Sequence, residues 1–152
     1  MKRTKSIYQA DWQGLSLAKI DQRMAAMPVA GVIDTLNWKA QYPAAPETVF
    51  ALAHTDEMLY VRFEVKGEVP LATKTEDLQA VNEDACVEMF IGNADNTRYW
   101  NFEFNPAGVC NASHRKERMW CALMQSNCTA SSVGLCNSAL LIGHYWWRYL
   151  SP

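Results

Sequence analysis

The chain has 152 residues, 49% of them hydrophobic, with 14 Lys and Arg against 16 Asp and Glu for a formal net charge of -2. A chain of that length fits one domain, which buries roughly 70% of the surface its unfolded form exposes, so a second core is not expected. The near balance of acid and base argues against nucleic acid or anionic membrane as the main partner and points to one that is uncharged or small.

The opening stretch, MKRTKSIYQADWQGL, is basic but lacks the apolar run of roughly 7 to 15 residues that a signal peptide carries, so a cytoplasmic location is expected. Ser16 to Met27 then places Leu17, Ile20, Met24 and Met27 at helical spacing, with Ser16 as N-cap and Pro28 as stop. Ile33 to Trp38 leads into the proline-bearing loop Tyr42-Pro43-Ala44-Ala45-Pro46, which prepares an extended segment.

From Glu47 onward the period becomes two. Leu59, Val61, Phe63 and Val65 alternate with Tyr60, Arg62, Glu64 and Lys66 as in a half-buried strand, and Thr48 to His54 is its hairpin partner across the turn Thr55-Asp56-Glu57. A second hairpin joins Asp84 to Ile91 and Thr97 to Asn105 through Gly92-Asn93-Ala94-Asp95-Asn96. The expected fold is mostly β, an antiparallel β-sandwich with one short N-terminal helix.

Beyond Arg118 the composition shifts. From Met119 to Pro152, Arg148 is the single Lys, Arg, Asp or Glu, and three of the five cysteines fall there. A boundary at 118 separates the sandwich domain, 1–118, from an atypical segment, 119–152, that either completes the sandwich or is a tail foreign to it. Within it Ala139 to Leu150 is apolar but interrupted by His144 and Arg148, and it falls short of the ~20 residues of a membrane span.

Strand phase groups Tyr99, Asn101, Glu103 and Asn105 opposite Arg98, Trp100, Phe102 and Phe104, and places Glu88 with Cys86 and Phe90 on one side of the preceding strand. If the strands pair, Glu88 stands beside the polar row, with Arg62 and Glu64 extending it. Carboxylate, amide and guanidinium groups on a rigid sheet beside Tyr or Trp suit sugar hydroxyls, and the same pattern also fits an ordinary solvated sheet face.

Other chemistry finds less support. Glu88 and Glu103 are a carboxylate pair, as glycoside hydrolysis needs, but no motif accompanies them and no enzyme is expected. His54, His114 and His144 lack partners at metal-ligand spacing, and a haem held by Met and His remains an alternative only because seven methionines are present. Cys86, Cys110, Cys121, Cys128 and Cys136 are odd in number and read as free thiols. Arg115-Lys116-Glu117-Arg118 reads as a solvated basic loop.

The runs NWKAQYPAAPETVFALAH, MLYVRFEVKGEV, EDACVEMFIG and RYWNFEFNPAG resemble, in order and spacing, the bacterial family 9 carbohydrate-binding-module-like domains over roughly residues 33–118. The resemblance implies a β-sandwich that binds sugar without catalysis, with structural calcium in characterised members. It gives Glu88 the place of the ligand-binding carboxylate and puts Asn101 and Glu103 at matching polar positions. In a carbohydrate-binding module Arg98, Tyr99 and Trp100 are further candidates to line the site. Asn82 departs from the pattern, since sugar-binding members place one of two clamping tryptophans there. A structural or protein-interaction sandwich that has lost its sugar site is therefore the main alternative, ahead of a haem-binding redox domain.

Overall fold

The computed structural model describes residues 7–37, 39–44, 46–56, 58–67, 70–93, 97–116, 119–122, 133–136 and 139–144, with side chains described through residue 115. The elements in chain order are β1 (Tyr8–Gln9), α1 (Leu17–Ala25), β2 (Gly31–Ile33), β3 (Glu47–His54), β4 (Leu59–Lys66), a 3-10 turn (Val81–Glu83), β5 (Val87–Gly92), β6 (Arg98–Phe104), β7 (Cys110–Lys116), β8 (Met119–Ala122), β9 (Val133–Cys136) and β10 (Ala139–His144). The fold is mostly β, with two sheets and one α-helix, the make-up of a β-sandwich. The chain divides into two compact units, one from Met1–Val69 with Ser132–Pro152 and the other Pro70–Ser131.

The first unit holds a six-stranded sheet in the order β1-β3-β4-β10-β9, with β2 also on β3. The expected first hairpin is present, its register running from Glu47 opposite Lys66 to His54 opposite Leu59. Its turn is closed by the Thr55 N–H donating to the Met58 carbonyl at 2.8 Å and the Met58 N–H donating to Thr55 Oγ1 at 3.0 Å. One pairing departs from the antiparallel expectation, because β1 lies parallel to β3.

α1 forms where helical spacing predicted it. Ser16 occupies the N-cap position without a side-chain hydrogen bond, and the helix ends at Ala25, three residues before Pro28. Ile20 and Met24 pack with Trp12 and Tyr60 over Ala51 and Ala53, whose small side chains let the helix approach the sheet closely. That contact corrects the reading of β4 as half-buried, since α1 covers the face carrying Tyr60, which is 4% exposed. Arg62, on the same face, bonds Asp21 of α1 at 3.2 Å and Glu64 at 2.9 Å, so Arg62 and Glu64 belong to the helix side of this sheet and do not extend the row beside Glu88.

β10 pairs with β4 over six positions, from Ala139 opposite Glu64 to His144 opposite Leu59, and β9 pairs with β10. Segment 119–152 thus supplies a strand to the second sheet and two to the first. Among the described residues no helix is long and apolar enough to cross a membrane.

The second unit holds a four-stranded antiparallel sheet in the order β5-β6-β7-β8. Phe102, Phe104, Cys110 and Ala112 are buried, with the Phe102 and Phe104 rings stacked at 6.5 Å. Residues 70–86 precede β5 and are held by Asp84, only 8% exposed. Its carboxylate accepts from the Thr73 N–H and hydroxyl, the Lys74 N–H and the Asn105 amide, at 2.6 to 2.9 Å. Asn105, 1% exposed, also donates to the Lys74 carbonyl at 2.9 Å and accepts from the Val109 N–H at 3.0 Å.

Candidate functional site

The second hairpin sets the site. Its β5–β6 register places Glu88 opposite Glu103, Phe90 opposite Asn101 and Gly92 opposite Tyr99. The β6–β7 register then sets Tyr99 opposite Arg115, Asn101 opposite Ser113 and Glu103 opposite Asn111. Directly opposed residues project to the same side, so these side chains share one face, the polar face that strand phase predicted.

The face has a fixed interior and an open margin. Asn101, Glu103 and Ser113 are 3%, 7% and 3% exposed. Glu103 accepts from Asn101 Nδ2 on one oxygen at 3.1 Å and from Asn111 Nδ2 on the other at 2.8 Å, which fixes its carboxylate plane. Arg115 Nε donates to Ser113 Oγ at 3.3 Å, which aims the guanidinium along the sheet. Asn101 Oδ1 is buried with no partner among the described residues, an uncommon state for a buried acceptor and one that invites a functional reading.

Glu88 lies on the edge strand and is exposed, and among the described residues nothing donates to its carboxylate. Lost hydration against the sheet, then the negative charge of Glu103, raise its pKa above the ordinary glutamate value, while Arg115 pulls the other way. Burial likewise pushes the Cys86 thiol up to about 11, helped by Glu88, Glu103 and Asp84. Such a thiol is protonated at neutral pH and a poor nucleophile. Beside these groups the Phe90 and Tyr99 rings meet at 6.0 Å and 53°.

Arg98 and Trp100 fall on the other face of β6, where Trp100 contacts the His114 ring at 4.9 Å. Asn82 is exposed on the 3-10 turn. Residues that sequence reasoning left out of the site are Phe90, Asn111, Ser113 and Arg115. Alternation already placed Phe90 with Glu88. Arg115, expected in a solvated loop, is in β7, which also includes Lys116; Glu117 and Arg118 lie outside the described residues.

No three His, Cys, Asp or Glu converge as metal ligands among the described residues. Asp84, a buried carboxylate, turns both oxygens to N–H and O–H donors, so it does not fit a calcium ligand. Those donors hold it well below the usual carboxylate range, against the burial that favours its neutral form. In the first unit a half-open groove of about 750 Å³, lined by residues including Asp11, Trp12, Asp56 and Met58, contains none of the predicted site residues.

Residues 18–131 match the model of a family described as carbohydrate-binding family 9. A solved structure from Bacteroides uniformis, described as that of a candidate carbohydrate-binding protein, is similar with a TM-score of 0.69 and 26% identity, covering 91% of this chain and 66% of that one. The chain thus spans just under two thirds of that protein's length. No curated protein matches.

Proposed function

The chain belongs to carbohydrate-binding family 9, and from that premise we propose that it is a noncatalytic sugar-binding domain whose site is the β5–β6–β7 face. The observation that carries this reading is the open carboxylate of Glu88 on the same face as the Asn101–Glu103–Asn111 relay and the Arg115 guanidinium. Glu88 accepts from sugar hydroxyls, Arg115 donates to them, and Asn101 and Glu103 hold the floor. Each sugar hydroxyl both donates and accepts, so a face that offers both functions matches it.

Catalysis is not part of the proposal. Hydrolysis needs a second carboxylate free to act as nucleophile or base, whereas both oxygens of Glu103 are already taken by amides. A calorimetric screen with neutral mono- and oligosaccharides tests the reading. Millimolar or tighter binding that Glu88→Gln weakens at least tenfold is the expected result, and no binding to any sugar at millimolar concentration overturns it. Asn82, exposed where sugar-binding members place a tryptophan, favours a second reading as an interaction domain; capture of a protein partner together with a blank sugar screen would establish it.

A further inference from the structure

Given a sugar site on this face, we infer that the ring of Phe90 is its stacking platform and the outer nitrogens of Arg115 its paired hydroxyl donors. Three observations converge on these residues. Phe90 is 59% exposed, a large apolar surface in water, and it stands two residues from Glu88 on the same side of the edge strand. Its ring leans on that of Tyr99, with centroids 6.0 Å apart at 53°. Directly across from it, Asn101 is 3% exposed, and its Oδ1 has no partner among the described residues.

A pyranose laid on Phe90 turns its apolar CH face to the ring and its edge hydroxyls outward. Glu88 lies on one flank as acceptor. Arg115, register partner of Tyr99, lies on the other; its Nε donates to Ser113, and among the described residues no further bond occupies its Nη groups. The stacking surface absent at Asn82 is thereby supplied from the strand that carries the carboxylate.

Calorimetry with a sugar bound by the wild-type domain tests the assignment. Phe90→Ala should weaken binding by about two- to twelvefold, since aromatic contacts of this kind contribute about 0.5–1.5 kcal/mol. Phe90→Trp should retain or tighten binding, Arg115→Lys should weaken it while conserving charge, and Leu71→Ala, which removes an equally exposed apolar side chain elsewhere in the same unit, should change nothing. If Phe90→Ala binds as wild type while Glu88→Gln does not, the platform assignment is overturned and the sugar site stands. If the wild-type domain binds no sugar, both fall.

Discussion

Glu88 and Asp84 are four residues apart, yet their surroundings move them in opposite directions. Lost hydration and the facing charge of Glu103 raise the Glu88 pKa, so its ionised form works against the folded state at neutral pH. Glu88→Gln should therefore leave the melting temperature unchanged or raise it while sugar affinity drops, a separation readable by running thermal scans beside calorimetry. The same shift makes wild-type affinity decline on acidification from above the ordinary glutamate value, as the acceptor becomes a donor. For Asp84 the folded pKa lies below the unfolded value of about 3.9, so its stabilisation is fully present above that value and is lost as pH falls below it. Melting temperature against pH should drop steeply below about pH 4 in the wild type. Asp84→Asn should start lower at neutral pH and show a flatter acid limb; matching curves would show that the carboxylate does not anchor the 70–86 loop.

At the level of elements, Asn105 ties the end of β6 to the loop that precedes β5. Asn105→Ala strands the Val109 N–H and removes two bonds donated by the amide, so a loss of about 2–4 kcal/mol is expected in denaturant titration. Met24→Ala tests α1 instead, and opening a cavity over Ala51 and Ala53 should cost about 2–4 kcal/mol. These elements differ in how far the sequence announces them. The two hairpins, α1 and the shared phase of Tyr99, Asn101 and Glu103 follow from periodicity, because period and face are local properties. Alternation reads β4 as half-buried, with Arg62 and Glu64 extending the row beside Glu88, because nothing local reveals that α1 folds over Tyr60 and Arg62. Arg115 escapes local patterning for a related reason: a basic cluster looks alike in a loop and in a strand until a neighbouring strand fixes its register. The Asp84 network is assembled from Thr73, Lys74 and Asn105, which no motif links.

Across the whole molecule, the first unit is built from two separated stretches, with β10 returning to pair with β4. Removing 132–152 should lower the melting temperature and promote aggregation, measurable by light scattering on heating, because the β4 edge from Leu59 to Glu64 loses its ladder of partners. An unchanged melting transition would show that β9 and β10 contribute nothing to the sheet. The pairing of β4 with β10 also bears on how the chain reaches its fold. As the ribosome delivers the polypeptide, β3 and β4 can zip together at once, but the outer side of β4 must wait until all of the second unit has been made. Closing so long a loop is slow, so refolding of the first unit should trail that of the second, and a nascent chain paused before β10 would present an open template to chaperones and to its own copies.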